Sequence, residues 1–505
     1  MVNEIDYEYD ENDIYHVCDR GDLERFKALI INDPIEYNLI DDLLEISIRQ
    51  DHIDIVDYII NNYNQYIKES KFEDHFKDAY ECKNNNILKL LLTKFNEKIN
   101  KTDILIDLVE NEEIEMIEYL LNNFTLDCNY TLITACNTSN SEMVDYLLTK
   151  KNINININEQ DFDGNTPLII ASTDREDDIT QMLLENANID VNIQNKKGYT
   201  CLMLYCDNED ENEDIIDLIL DKNVNINLKN EDGNTALLIA CENGCSDIVE
   251  KLLDIDEIDI NASNNKGNTP LIYCILNDDF KSIKRLAKKK KLNYNHQNNN
   301  GDTALMIACK KNNVKIINYL LDKTDLTILN KNGENILFYL SATNTKIMEK
   351  CIPAFHNINI QNNKGQTLLM KACEGNNLNS VIFLLKKSNI YLKDNNGKDA
   401  FYYIINNNDP NLQIIELFLN MNINIKNILI DNINNITDFR NSNNRLKMLN
   451  ILLNDLRVDL TRINVNIPSF VRTYPEMYKN KHDRLLCLCA DGKKFKINKN
   501  KIIII

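Results

Sequence analysis

Glycine recurs in this 505-residue chain at an almost constant interval, and no other feature constrains the fold as much. Eight of the twelve glycines lie 32 to 35 residues apart along the chain. They are Gly164, Gly198, Gly233, Gly267, Gly301, Gly333, Gly365 and Gly397. A chain with such a period folds as stacked copies of one small unit, each burying its apolar face on its neighbours. We therefore predict one elongated array instead of several globular domains.

The residues around each glycine predict a turn followed by the start of a helix. Asn or Asp stands three positions before the glycine, where its side chain can bond the backbone two residues further on. Thr, Asn or Asp stands two positions after the glycine and is suited to cap a helix; Pro167 and Pro270 follow two of these caps. Seven positions after the glycine comes a mostly small residue, such as Ala171 or Ala240, which lets two helices approach closely.

The segments Asp161–Ala171 (DFDGNTPLIIA) and Asn230–Ala240 (NEDGNTALLIA) resemble the ankyrin-repeat signature T-P-L-H-x-A. No copy has the signature histidine, whose position is apolar or aromatic throughout; Ile169 and Leu238 occupy it in these two segments. The resemblance implies an all-α fold, an ankyrin-repeat solenoid of about 13 to 14 helix-turn-helix repeats. Connecting turns or short β-hairpins are expected between the repeats.

An aliphatic pair twelve and thirteen positions after the small residue marks the end of each second helix, as at Leu183 and Leu184. The same spacing, extended towards the N terminus, finds five copies that lack the glycine turn. Their aliphatic pairs are Leu29-Ile30, Ile59-Ile60, Leu91-Leu92, Leu120-Leu121 and Leu147-Leu148. We predict divergent acidic repeats at 1–160, well-matched repeats at 161–420, a degenerate terminal repeat at 421–460 and a C-terminal cap or tail at 461–505.

Asn and Ile alternate after the second helices, for example at residues 152–158. Alone, this alternation is typical of a half-buried strand. Because helices flank every copy, we interpret it as a connector with at most short β pairing.

The abundance of Asn, Ile and Lys indicates an AT-rich genome, and in this respect the chain resembles the multi-repeat ankyrin proteins of large AT-rich DNA viruses.

Six of the fourteen cysteines occupy one repeat position, directly after the small helix residue. They are Cys18, Cys136, Cys206, Cys241, Cys309 and Cys373. Stacking places one of them in each layer, so we expect compact core residues and no zinc site. Free thiols in this number indicate a reducing compartment, so we expect a cytoplasmic protein, with Lys288–Lys291 as a possible nuclear-import signal.

Motifs that carry catalysis are missing from the sequence. It contains no phosphate-binding loop, no zinc-protease motif and no nucleophile elbow, and its six histidines are scattered singly. We therefore expect no catalytic residues, no cofactor, no metal and no enzymatic activity. No apolar run approaches the length of a membrane span, and the start at Met1–Asp6 lacks a signal-peptide pattern, so no membrane partner is expected.

Charge is concentrated in residues 1–160, which hold 34 acidic and 14 basic residues and so carry −20 of the chain's −22. Such a region repels nucleic acid and attracts a basic protein. The alternative is a solvated helix face that maintains solubility. The lysines within Lys281–Lys291 lack the interleaved aromatic residues of a nucleic-acid platform, so no nucleic-acid partner is expected.

The ankyrin resemblance implies binding to a protein along the concave side formed by turn tips and first helices, and the resemblance to viral ankyrin proteins implies that this partner is a host protein. Only two tip residues are aromatic, and interface hot spots favour aromatic anchors. The predicted partner-binding residues, in two adjacent repeats, are Phe162, Asp163, Asn165, Lys196, Lys197 and Tyr199. We expect a monomeric, non-catalytic scaffold. The alternative is an adaptor whose C-terminal 85 residues recruit effector machinery such as a ubiquitin ligase.

Overall fold

The structure is a computed structural model that describes residues 13–32, 39–68, 71–95, 100–150, 155–207, 213–421, 448, 451, 495–498 and 501–504. It divides into two compact units. Unit 1 comprises Met1–Tyr205 with Asn212–Asn225, and unit 2 comprises Cys206–Glu211 with Ile226–Ile505.

The described part of unit 1 is built from pairs of short helices. The helices are α1 Ile14–Arg20, α2 Leu23–Asn32, α3 Ile40–Arg49, α4 Ile53–Tyr63, α5 Phe72–Glu81, α6 Asn85–Lys94, α7 Lys101–Glu110, α8 Ile114–Asn123, α9 Asn129–Asn137, α10 Ser141–Thr149, α11 Pro167–Asp174, α12 Asp177–Glu185, α13 Cys201–Tyr205 and α14 Glu213–Leu220. A 3₁₀ turn at Asn64–Tyr66 follows α4.

The described part of unit 2 continues the same alternation. Its helices are α15 Ala236–Asn243, α16 Ser246–Leu253, α17 Pro270–Leu276, α18 Phe280–Leu286, α19 Ala304–Lys310, α20 Val314–Leu320, α21 Ile336–Thr343, α22 Thr345–Cys351, α23 Leu368–Glu374, α24 Leu378–Leu385, α25 Ala400–Ile405 and α26 Leu412–Asn420. Single 3₁₀ turns follow α20 and α22, at Leu321–Lys323 and Ile352–Ala354. Strands β1 Phe495–Asn498 and β2 Lys501–Ile504 pair antiparallel, with Phe495 opposite Ile504.

The helices stack in two layers within each unit. The first helix of a pair contacts the first helix of the next pair. In unit 1, α7, α9, α11 and α13 do so in sequence, and in unit 2 the odd-numbered helices from α15 to α25 do the same. Second helices line the other layer, where α10 contacts α12 and α12 contacts α14. The prediction of an all-α array of helix pairs is confirmed, and the 26 helices that the described residues form make thirteen pairs, where about 13 to 14 were expected.

The core lies between the two layers and consists of the residues that the repeat pattern selected. Ala171 on α11 and Leu183 on α12 are completely buried, as are Ala308 on α19 and Leu320 on α20. The predicted caps form as well. The Thr166 hydroxyl accepts from the Ile169 N–H at 3.2 Å, with Pro167 in the first helical position.

The connectors join neighbouring repeats through asparagine side chains. In unit 2, the Asn227 amide donates to the Glu257 carbonyl at 2.8 Å, and its oxygen accepts from the Asp259 N–H at 2.8 Å. Asn261 bonds the next connector in the same two ways. The described connectors also contain two isolated antiparallel bridges, Gln297 with Thr303 and Gln361 with Thr367, which agrees with short β pairing.

All but one of the described cysteines are buried, whether or not they occupy the recurrent repeat position. All six cysteines in that position are buried free thiols, whereas Cys82 is exposed. Burial raises the pKa of Cys18 to about 11 and that of Cys136 to about 12, so these thiols stay protonated. Within the described ranges, no group of His, Cys, Asp and Glu side chains is arranged to hold a metal, and no helix is long and apolar enough to cross a membrane.

The predicted degenerate repeat at 421–460 and most of the 461–505 segment lie outside the described residues. The proposed divisions at 160, 420 and 460 therefore stay predictions.

Candidate partner-binding surface

Two adjacent turn tips of unit 1 hold all six predicted partner-binding residues. In the first tip, the Asp161 carboxylate accepts from the backbone N–H groups of Asp163 at 2.8 Å and Asn165 at 2.7 Å. In the second, the Asn195 side chain accepts from Lys197 at 3.1 Å and Tyr199 at 2.9 Å. The Asx side chain therefore holds each tip from within, as the sequence predicted.

Hydrogen bonds also fix the distance between the two tips. The Lys196 N–H donates to the Asp163 carbonyl at 2.9 Å, and the Asn195 amide donates to the Asn165 side-chain oxygen at 3.0 Å. This approach requires glycine at 164, where φ is +79° and a Cβ would lie 2.9 Å from the Lys196 backbone nitrogen. The two tips are thus a rigid surface that we call the tip strip.

The structure brings Phe162 and Lys196 together on this strip. The Phe162 side chain is 84% exposed, and the Lys196 ammonium lies 4.1 Å from the centre of its ring, in the geometry of a cation–π contact. Asp163 and Lys197 are also exposed. A large aromatic side chain therefore faces solvent from a turn whose backbone is fixed, with two cations and one carboxylate around it.

Two predicted residues serve the strip in another way. Asn165 is half-buried and uses its side chain internally, since its amide donates to Asp161 Oδ2 at 3.1 Å and its oxygen accepts from Asn195. Tyr199 is half-buried, so less of its ring is available to a partner than that of Phe162. The accessible part of the strip is therefore centred on Phe162 and the two lysines.

Sequence reasoning missed two groups that support the strip. Gln160 donates from its side chain to the carbonyls of Gly164 at 2.6 Å and Gln194 at 3.1 Å, which ties the base of one tip to the next. Tyr205 occupies the repeat position where a small residue was expected, and its large side chain is nevertheless buried. Its hydroxyl donates a hydrogen bond to the Asp177 carboxylate at 2.8 Å. The only signal for Tyr205 was its departure from the repeat pattern.

Burial is the largest cause of the raised pKa of Tyr205, and the Asp177 carboxylate adds to it. The Arg175 guanidinium lies 4.8 Å from the centre of the ring and donates to the Leu204 carbonyl at 2.7 Å. Tyr205 thus stays a neutral hydroxyl that packs α13 against its neighbours. It supports the repeat and is not part of the exposed strip.

Two members of the basic cluster at 281–291 make ion pairs with neighbouring side chains of unit 2. Lys281 pairs with Asp247, and Arg285 contacts Asp254 with Nη2 to Oδ1 at 2.7 Å. Lys284 and Arg285 lie in the last turn of α18, where the helix dipole favours cations.

A protein-family model described as ankyrin repeats (3 copies) matches residues 105–195, 202–298, 271–349 and 337–428. No curated protein matches the chain.

Proposed function

Since the chain belongs to the ankyrin-repeat family, whose repeats generally mediate protein–protein interaction, we propose that it is a non-catalytic scaffold that binds a partner through the tip strip of unit 1. The proposed contact residues are Phe162, Asp163, Asn165, Lys196, Lys197 and Tyr199.

The exposure of Phe162 in a fixed turn carries this proposal. An aromatic side chain that is 84% exposed gains most of its apolar burial when a partner covers it. Because the backbone is already held by Asp161 and by the neighbouring tip, little backbone entropy is lost on binding. Aromatic anchors with these properties dominate the binding energy of many interfaces.

The charges on the strip define the complementary surface. Lys196 and Lys197 are both exposed on the second tip, and the Lys196 ammonium lies over the Phe162 ring. The partner surface that fits is an apolar pocket for the ring with carboxylates at its rim. We further propose that the partner is a host protein and that the chain acts in the cytoplasm, where its buried free thiols stay reduced.

The experiment starts from affinity purification of the intact chain, in parallel with a chain truncated after residue 420, and identifies the proteins retained by both. The affinity of a captured partner is then measured for Phe162→Ala/Tyr199→Ala. We expect a loss of more than about 2 kcal/mol in binding free energy, the range of hot-spot anchors, with little change in melting temperature. A matched control is Tyr391→Ala in unit 2, whose side chain is 56% exposed.

Unchanged affinity in the double variant would contradict the proposal. A large fall in melting temperature would show instead that the two rings are structural. Partners retained only by the full-length chain would support the adaptor alternative, in which residues after 420 recruit effector machinery.

A further inference from the structure

A groove opens between α5 and α7 in unit 1, away from the tip strip. Its volume is about 510 Å³, and its lining residues come from both helices and from the two caps of α7. They are Asp74, Phe76, Lys77, Tyr80, Glu81, Asn100, Asp103, Ile104, Asp107, Leu108 and Asn111. This volume accommodates several side chains of a bound segment.

The walls of the groove are rows of charged residues spaced about one helical turn apart. Asp74, Lys77 and Glu81 are exposed along α5, and Asp103 and Asp107 are exposed along α7. Four carboxylates and one ammonium therefore line the groove, and beside it Lys71 Nζ lies 3.5 Å from Asp74 Oδ2 in an exposed pair. Lys77 Nζ lies 4.0 Å from Glu81 Oε1, and both side chains are more than half exposed, so this pair neutralises little of the wall.

The floor of the groove is apolar. Phe76, Ile104 and Leu108 are buried there, each at most 8% exposed. Tyr80 lies half-buried beside them. Burial, then the Glu113 and Asp107 carboxylates, raise the pKa of its hydroxyl, so it remains a neutral hydrogen-bond donor in a negative field.

The repeat pattern gives a physical reason for the opening. The position that holds a small residue in most of the repeats, and so allows close helix approach there, is Leu108 in α7. Its larger side chain lines the groove. On either side, α3 contacts α5 and α7 contacts α9. The groove is therefore a local feature of one pair of repeats with an apolar base and acidic rims.

We propose that this groove binds a segment of a protein partner that carries Lys or Arg, with an apolar side chain on the floor and basic side chains against both walls. Charge complementarity selects this occupant, since the walls are acidic and the whole region of residues 1–160 carries −20. The apolar floor favours a peptide, which can bury an apolar side chain on it, over a small cation, which makes no favourable polar contact there. The surface is separate from the tip strip and adds a second site to the scaffold.

The test uses the intact chain and a short fluorescein-labelled peptide in which two arginines flank a leucine. Fluorescence anisotropy measures its affinity for the native chain and for Asp103→Asn/Asp107→Asn, which removes two wall charges. We expect about tenfold weaker binding in this variant. Lys77→Glu makes the wall more acidic, so it should strengthen binding about twofold to fivefold.

The matched control is Glu142→Gln/Asp145→Asn on α10, which removes the same charge from two other exposed carboxylates of unit 1. We expect it to change the affinity by less than about twofold, because screening limits distant charges. Phe162→Ala/Tyr199→Ala should have no effect here, so failure of one site is distinguishable from failure of the other. Circular dichroism checks that every variant keeps its helical signal.

Three results would overturn the proposal. One is that the intact chain does not bind the arginine peptide, or binds a counterpart with two glutamates equally well. Another is equal weakening by the groove and control variants, which would indicate a diffuse negative field. The third is equally tight binding of a peptide in which serine replaces the leucine, which would show that the groove recognises only positive charge.

Discussion

The repeats at residues 13–150 and those at 226–405 have the same helix pairs, but among the described residues only the later ones are also joined by hydrogen bonds between the backbones of neighbouring turn tips. In the later repeats, each turn tip donates a backbone N–H to the preceding tip, as Asn299 does to Lys266 at 3.0 Å and Lys331 does to Asn300 at 3.0 Å. Charged side chains link neighbouring repeats in both regions, as Arg49 does with Asp78 at 2.8 Å in the earlier one and Arg285 does with Asp254 at 2.7 Å in the later one.

Neutral asparagine amides reinforce the later repeats. The Asn264 amide donates to Asn234 Oδ1 at 2.9 Å and to the Tyr273 hydroxyl at 2.7 Å. Such bonds respond little to pH or salt, whereas carboxylate links respond to both. The comparison therefore predicts that a disturbed tip geometry destabilises the later repeats, whereas the earlier ones, whose described residues have no such bonds, depend more on side-chain contacts that include charged pairs.

The largest effect is expected from glycine replacement in the later repeats. Gly301→Ala places a methyl group where a Cβ would lie 2.7 Å from the Lys331 backbone nitrogen, at φ +76°. We expect a loss of about 3 kcal/mol in the free energy of unfolding of these repeats, from left-handed strain plus the clash. Urea denaturation measures the loss, and hydrogen exchange locates it in the repeats that the tip joins.

Gly397→Ala is the matched control, since its φ is +73° but nothing lies within 4 Å of the added Cβ. It should cost only the backbone strain, about 1 kcal/mol. Equal losses in the two variants would show that the close approach of neighbouring tips contributes nothing to stability.

A smaller effect is expected from acid in the earlier repeats. His75 on α5 is buried with its Nε2 3.6 Å from Asp41 Oδ1. Burial lowers the pKa of His75, outweighing Asp41, Asp78 and Glu45, which raise it. The unfolded chain binds the proton near pH 6.5 and the folded chain only below that, so stability falls as pH drops below about 6.5, by at most about 1.4 kcal/mol per pH unit.

Hydrogen-exchange protection factors for α3 and α5 between pH 7.5 and 5.5 measure this effect. His75→Asn should remove the acid-induced part of the loss, whereas His356→Asn, at an exposed position in unit 2, should not. Protection in α3 and α5 that is the same at both pH values would contradict the interpretation.

Most of the fold was predictable because the same local signals recur in phase. The cap at Thr166 and the buried Ala171 each follow from residue type and from distance to a glycine. The role of asparagine was not predictable in the same way. We attributed its abundance to genome composition, whereas Asn227 and Asn264 bond across neighbouring repeats. Such bonds join residues about 30 positions apart, and no local pattern reveals them.

The candidate sites were predictable only in part. The tip position of Phe162 was readable from the period, but its contact with Lys196 depends on how two turns stack. The groove between α5 and α7 left a single trace in the sequence, Leu108 in a position that usually holds a small residue. Its depth depends on helix separation, which composition and periodicity do not determine.

The smallest effect concerns the ion pairs of the earlier repeats. Lys89 Nζ on α6 contacts Glu115 Oε1 on α8 at 2.7 Å, and Asn85 donates to the same carboxylate at 3.0 Å. The bond from Lys89, then that from Asn85, lower the pKa of Glu115, so the pair stabilises the fold at neutral pH and is lost on acidification. A double-mutant cycle with Lys89→Gln and Glu115→Gln should give a coupling energy smaller than the His75 effect. Because the Debye length falls to about 3 Å at 1 M salt, the coupling should then largely disappear. The loss in free energy of unfolding caused by Gly301→Ala should be nearly the same in low salt and in 1 M salt. If this loss falls with salt as steeply as the coupling energy, the two regions do not differ in the chemistry that joins their repeats.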